Sequence, residues 1–220
     1  MTEKLDPQKV INELSNKTIE QCRQAIAINT KLIENNPNNS RAYIIRAAAY
    51  STIELYYNAI SDYTKAIELD PEYAAAYNTR GDAYSTTEQY DEAIADYAKA
   101  IELNPALTAV YFSRGLAYGN IQKYDNAIAD LTTAIELNPT RAETYFFRGF
   151  AYNSIQQSDK AIADYTKGIE LNLRGTANEL HLRAGSFDKC ACEEGIITME
   201  EALEKIKRLK TQGAKTTESK

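Results

Sequence analysis

Apolar residues recur along this chain with the spacing of short amphipathic helices arranged in pairs. Tyr77, Gly81 and Tyr84 lie at positions i, i+4 and i+7, which is one face of a helix. The polar stretch Thr87-Glu88-Gln89 follows, and Pro105, which cannot continue a helix, ends the unit. Between them lies a second helical set, made of Ala93, Ile94, Tyr97, Ala100 and Ile101. The pattern predicts a helical hairpin.

The same hairpin occurs four times at a spacing of 34 residues, which the prolines at 37, 71, 105 and 139 mark. Five other columns of residues recur at this spacing without exception. They are Tyr43, Tyr77, Tyr111, Tyr145; Arg46, Arg80, Arg114, Arg148; Tyr50, Tyr84, Tyr118, Tyr152; Ala59, Ala93, Ala127, Ala161; and Asp62, Asp96, Asp130, Asp164. A repeat of this length predicts an all-α array in which each hairpin packs on its neighbours.

These residues resemble the tetratricopeptide repeat (TPR) family, and in particular bacterial-type members whose first helices read Arg-Gly-x-Ala-Tyr. Residues 40–173 match the family pattern of aromatic, small and proline positions in four copies. The departures are Ala47 for Gly, Leu131 for an aromatic residue, and Gly168 and Leu173 for the last Ala and Pro. The resemblance implies an all-α, right-handed superhelical solenoid of antiparallel helix pairs. The four units are predicted at 40–73, 74–107, 108–141 and 142–173.

The N-terminal segment, residues 1–39, is predicted to be a degenerate capping repeat, because the end of a helical array exposes an apolar face. A short first helix is expected at 7–15, where Pro7 suits the first helical position. A second helix is expected at 18–35, opened by the capping box Thr18-Ile19-Glu20-Gln21.

The C-terminal segment, residues 174–211, is predicted to be a looser fifth repeat that caps the other end. Its second helix is expected after Thr198, which opens another capping box. Residues 212–220 have the composition of a disordered tail.

The chain has three cysteines, Cys22, Cys190 and Cys192. An odd number this small does not form a disulfide framework. The spacing of the last two differs from the C-x2-C pairs of metal sites, and His181 is the only histidine. We interpret these thiols as incidental and expect neither a metal nor a cofactor.

The arginine and aspartate columns are predicted to pair across each hairpin. In an antiparallel hairpin the numbers of facing residues have a nearly constant sum, which places Arg80 near Asp96. The expected pairs are Arg46–Asp62, Arg80–Asp96, Arg114–Asp130 and Arg148–Asp164. The arginines could instead grip a ligand carboxylate, but paired structural charge is favoured because planar Arg suits bidentate pairing.

The TPR resemblance implies that the first helices line a concave, protein-binding groove. The groove positions vary between copies and combine polar with apolar side chains. The candidate binding residues are Asn78, Asp82, Ser85, Phe112, Leu116, Asn120, Phe146, Phe150 and Asn153. The phenylalanines and Leu116 form an expected apolar contact stretch, unless the C-terminal cap folds over them. The positions of the family's carboxylate clamp hold no cation here, so the C-terminal tails of Hsp70 and Hsp90 are disfavoured as partners.

Composition narrows the function further. A net charge of −6 disfavours nucleic acid and anionic membranes as partners, and no apolar run approaches the ~18 residues of a membrane span. Without a signal-like N-terminus the protein is expected to be cytoplasmic. No catalytic motif is found, so we expect no enzyme. The prediction is a scaffold or adaptor that binds a peptide or protein partner. The alternative is a self-associating assembly subunit that uses the groove or end caps, and a homo-oligomer is left open.

Overall fold

The computed structural model describes residues 7–175, 182–183, 196–197, 204 and 207. Nine helices lie within this part of the chain: α1 Pro7–Asn35, α2 Ser40–Thr52, α3 Tyr56–Leu69, α4 Ala74–Thr86, α5 Tyr90–Leu103, α6 Thr108–Asn120, α7 Tyr124–Leu137, α8 Ala142–Ser154 and α9 Ser158–Gly175. Two short strands follow, β1 Leu182–Arg183 and β2 Ile196–Ile197.

The chain divides into two compact units, Met1–Leu103 and Asn104–Lys220. In the first unit, α2 pairs with α3 and α4 with α5, while α1 packs on α2 and α3 on α4. In the second unit, α6 pairs with α7 and α8 with α9, while α7 packs on α8. Each unit is therefore built hairpin on hairpin, and the fold is an all-α helical-repeat solenoid.

Small residues let the two helices of each hairpin approach closely. The alanine column at 59, 93, 127 and 161 is fully buried. A Cβ atom on Gly81 would lie 2.8 Å from Cε1 of Tyr97, and one on Gly115 would lie 2.9 Å from Cγ of Leu131. The large second-helix side chain therefore fills the space that glycine leaves, as close packing requires.

Each hairpin turns through the same helix-ending motif. In the second repeat the N–H of Gln89 donates to the carbonyl of Tyr84, and that of Glu88 donates to Ser85. This is a Schellman motif, which places one residue in the left-handed region, usually glycine. Here the column holds Glu or Gln: Glu54, Glu88, Gln122 and Gln156 have φ of 59–63°.

The prediction of two separate N-terminal helices is wrong, because α1 runs unbroken from Pro7 to Asn35. No proline or glycine follows Pro7 within this range, so nothing in the chain forces the backbone hydrogen bonds to stop. The expected capping box at Thr18 consequently lies inside a helix.

The C-terminal region differs from the predicted fifth repeat at its described positions. Leu182 and Arg183, expected in a first helix, are extended and pair antiparallel with Ile197 and Ile196. Isoleucine favours strands, which suits this pairing. Residues 204 and 207, in the expected second helix, have helical backbone. The predictions for the two late cysteines and the tail at 212–220 lie outside the described residues.

Candidate protein-binding surfaces

Each of the four arginines lies against the aspartate with which the sequence analysis pairs it. In every pair Nε donates to Oδ2 over 2.7 Å, and Nη2 donates to Oδ1 over 2.7–2.8 Å. The carboxylates are buried, with 8–9% of each side chain exposed. Such bidentate geometry holds the first helix of each repeat in one register against the second.

Tyrosine rings complete the surroundings of these arginines. The guanidinium carbon of Arg80 lies 5.8 Å from the ring centre of Tyr77 and 5.7 Å from that of Tyr84. Arg114 and Arg148 lie between two rings in the same way. Burial lowers the pKa of Arg80, but the hydrogen bonds and charge of Asp96 raise it more, so the pKa stays above its ordinary value. The guanidinium is thus enclosed by structural partners, which supports a structural role over gripping a ligand.

A third partner, which sequence reasoning missed, joins consecutive repeats. Nη1 of Arg46, Arg80 and Arg148 each donates over 3.0 Å to a threonine hydroxyl of the preceding second helix. The acceptors are Thr30, Thr64 and Thr132. They lie 34 and 68 residues apart, in register with the repeat, and this was the available signal. The matching position before the third repeat is Ala98, which has no hydroxyl.

In the first unit, the predicted groove residues Asn78, Asp82 and Ser85 share one side of α4. Asp82 is exposed, and its Oδ1 accepts a 2.8 Å hydrogen bond from the buried Tyr97 hydroxyl. Asn78 is half-buried, and its Oδ1 is buried and accepts no hydrogen bond from any described residue. This side of α4 therefore presents the exposed Asp82 carboxylate, with the shielded oxygen of Asn78 one turn away.

In the second unit, the prediction that Phe112 and Phe146 line an open groove is wrong. Phe146 is 1% exposed and stacks on Tyr165 with ring centres 6.4 Å apart. It can turn inward because Gly168 makes room: a Cβ there would lie 2.6 Å from Cε2 of Phe146.

Phe112 is 8% exposed and belongs to the packed core between α6, α7 and α8. Its ring meets the edge of Phe147 with centres 5.6 Å apart, and the guanidinium carbon of Arg141 lies 3.9 Å from its ring centre. Among the described residues, this cover comes from the neighbouring helices α7 and α8.

The remaining predicted residues of this unit stay partly accessible. Leu116 on α6 and Phe150 on α8 are half-buried and pack against the same core cluster. Asn120 and Asn153 are also half-buried, and Nδ2 of Asn120 donates to the Leu116 carbonyl over 3.1 Å. The second unit therefore presents a small apolar surface with amides beside it.

Two other features bear on function. Among the described residues, no group of three or more His, Cys, Asp or Glu side chains could hold a metal ion. No helix in the same part of the chain has the length and apolar character needed to cross a membrane.

Hairpins repeated at a fixed spacing and packed on one another define a helical-repeat scaffold, a class whose surfaces bind other macromolecules. Models of the tetratricopeptide repeat match residues 74–107 and 108–141, and again 40–73 and 142–174. These matches cover more than half of the chain. The chain belongs to the tetratricopeptide repeat family, and it is a protein-interaction scaffold.

Solved structures of MamA proteins are similar to this chain. Two of them are 27% identical to it. The first has a TM-score of 0.70, and the match covers 72% of this chain and 93% of the MamA chain. The second has a TM-score of 0.69, and the match covers 79% of this chain and 96% of the MamA chain. MamA from Desulfovibrio magneticus RS-1 is 20% identical, with a TM-score of 0.68 and coverage of 77% and 97%, and shows the shared fold alone. No curated protein sequence matches the chain.

Proposed function

We propose that this scaffold binds a polypeptide partner on the exposed side of its first helices and does so without catalysis. The partner is a peptide segment or a protein, and the scaffold acts as an adaptor. A cytoplasmic location stays a prediction.

The observation that carries the proposal is the Oδ1 atom of Asn78, which is buried and accepts no hydrogen bond from the described residues. An unsatisfied buried acceptor typically costs about 1–3 kcal/mol, so such atoms are rare in folded proteins. This oxygen has almost no contact with solvent, so a bound peptide reaches it only when the Asn78 side chain turns outward on binding; a backbone N–H of the peptide then supplies the absent donor. Asp82, one turn along α4 and exposed, would accept a second donor from the same segment.

The second unit supports the same activity through different chemistry. Leu116 and Phe150 provide partly exposed apolar area on two neighbouring first helices, and the amides of Asn120 and Asn153 lie beside them. An apolar side chain of a partner fits such a surface, where backbone groups also need hydrogen bonds.

The charge of the first unit's surface disfavours one kind of peptide end. Asp82 would repel a terminal carboxylate, and the clamp positions lack cations. We therefore propose an internal segment, or one that carries N–H or cationic donors, and not the Hsp70 or Hsp90 tails.

Site-specific photo-crosslinking tests this proposal. Benzoylphenylalanine is placed at Thr86, exposed on α4, and in a matched variant at Glu92, exposed on α5. In native extract we expect a discrete adduct from position 86 and none from position 92. Equal adducts from both positions would contradict binding on the first helices.

The recovered partner then allows an affinity measurement with Asn78→Leu, which keeps the volume and removes the acceptor. We expect the Kd to rise about tenfold, because one hydrogen bond contributes about 1 kcal/mol and more when buried. Asn58→Leu, on an exposed face of α3, is the control. An unchanged Kd for Asn78→Leu would remove the central support for the proposal.

A further inference from the structure

Aliphatic side chains are exposed near the beginning of the first unit, and among them Ile28 is 59% exposed, Leu32 44% and Ile45 42%. Each occupies a position that other repeats cover. Ile28 stands in the aspartate column, whose members are 6–7% exposed, and Leu32 stands in the alanine column of Ala66, which is 1% exposed. We refer to Ile28, Leu32 and Ile45 as the uncovered N-terminal face.

The second unit shows what covers these positions in a complete repeat. There Phe112 of α6 packs in one cluster with Ala134 of α7 and Phe147 of α8. Moving back three repeats, or 102 residues, places Leu32 at the position of Ala134 and Ile45 at that of Phe147. The uncovered N-terminal face is therefore the surface on which a first helix packs in a complete repeat.

The chain contains the sequence of the turn that would supply this helix. Residues 19–21, Ile19-Glu20-Gln21, fall 34 residues before Ile53-Glu54-Leu55 and 68 before Thr87-Glu88-Gln89. The later two triplets form Schellman turns with a positive φ at the central Glu, but α1 continues straight through the first. Residues 7–18 therefore correspond to a first helix. In the straight α1 they project away from the uncovered N-terminal face over a length of about 18 Å.

We propose that two copies of this chain exchange residues 7–18, so that each copy's segment covers the uncovered N-terminal face of the other. Because α1 is straight, residues 7–18 cannot contact the uncovered N-terminal face of their own chain. The α1 helix of a second copy, lying antiparallel, places the same residues on that face without bending. The pairing follows the register of the other hairpins, in which residue 46 faces 62. Residue 12 then faces 28 of the second copy, and the two α1 helices cross near residue 20.

The residue types match in this register. Val10 stands at the position of Phe112 and Leu32 at that of Ala134, so the register pairs a smaller residue with a larger one. Asn12 takes the arginine position and faces Ile28, which takes the aspartate position, so no charge is left unpaired. If α2, α4, α6 or α8 of a second copy packed here, its arginine would lie against Ile28. Burial of an unpaired charge is costly, so these helices are excluded as the ones that cover this face. This assembly does not depend on the proposed peptide binding.

Mixed disulfide formation tests the exchange. In a chain with Cys22→Ala, Cys190→Ser and Cys192→Ser, one preparation carries Val10→Cys and a second carries Leu32→Cys. After unfolding, mixing, refolding and mild oxidation we expect a covalent dimer containing one chain of each kind, well above the level in either preparation alone. Circular dichroism checks that both fold.

The opposite outcome has its own signature. If the segment folds back within one chain, the double variant Val10→Cys/Leu32→Cys closes an internal disulfide and stays monomeric, and the mixture gives no covalent dimer. That result overturns the exchange.

Sedimentation velocity provides a second readout without new thiols. The unaltered chain is expected to sediment as a dimer, and Glu20→Gly, which favours the turn, is expected to shift it toward monomer. Glu54→Gly changes a turn that is already formed and should leave the dimer unchanged. A monomeric unaltered chain, or equal effects of both substitutions, contradicts the proposal.

Discussion

At the residue scale, the most unusual positions are the four turn residues with positive φ. A side chain in the left-handed region costs about 1–2 kcal/mol, since its Cβ crowds the following carbonyl. Glutamate and glutamine in this column therefore lower the stability of every hairpin relative to glycine.

Gln122→Gly should raise the free energy of unfolding by about 0.5–1 kcal/mol, because relief of this strain exceeds the added entropy of the unfolded chain. Urea denaturation measures the change. The matched control is Lys123→Gly, at the next residue, where φ is −82° and glycine brings only the entropic loss. Two shifts of the same sign would show that φ does not govern the effect.

The Arg–Asp pairing could be read from the sequence because both columns are invariant and hairpin geometry fixes their facing positions. The contacts of Arg80 with the tyrosine rings and with the Thr64 hydroxyl were not predicted, since the repeat spacing shows that these positions recur but not where the guanidinium points. Thr64 also lies in the preceding hairpin, and pairing rules within one hairpin do not reach it.

At the element scale, the α8–α9 hairpin depends on a large side chain in α8 that packs where α9 has a glycine. Phe146 enters the core where Gly168 lacks a side chain, whereas the first repeat has Ile44 and Ala66 at these positions. In the sequence, Gly168 stands only as a departure from the alanine of the family pattern. Its physical role is to admit Phe146, and this role depends on a side-chain rotamer that helical periodicity does not specify.

Gly168→Ala should lower the free energy of unfolding by about 1–3 kcal/mol, because the new Cβ overlaps the Phe146 ring. In a Phe146→Ile background the same substitution should stabilise the protein by up to about 1 kcal/mol, since alanine is the better helix former. Thermal unfolding of the four proteins in this cycle measures the coupling. Equal effects of Gly168→Ala in both backgrounds would refute it.

At the scale of the whole molecule, hydrogen bonds from arginine to threonine connect one hairpin to the next. Thr132→Val keeps the shape of the side chain and leaves Nη1 of Arg148 without this acceptor. We expect the free energy of unfolding to fall by about 1–3 kcal/mol. Thr133→Val, on the same helix and half-buried, removes only a hydroxyl with an exposed hydrogen bond to the Ala129 carbonyl, and should change it by no more than about 0.5 kcal/mol. Similar losses in both variants would assign the effect to helix propensity.

The repeat architecture followed from the sequence because one spacing fixes every hairpin, but the path of α1 did not. Ile19-Glu20-Gln21 is locally a turn sequence, and in later repeats the same kind of triplet bends. In those hairpins the bend lets a first helix bury an apolar face, whereas α1 continues as a helix, so local sequence alone does not determine the outcome.

The hydrogen bonds from Thr30 to Arg46 and from Thr64 to Arg80 both span 16 residues, as does each arginine to its aspartate. Removing residues 40–73 by a genetic deletion would bring Thr30 to that same separation from Arg80. The joined chain would keep every polar partner at the junction. Arrays of this kind can therefore gain or lose whole 34-residue copies during evolution without passing through a form that buries an unpaired charge.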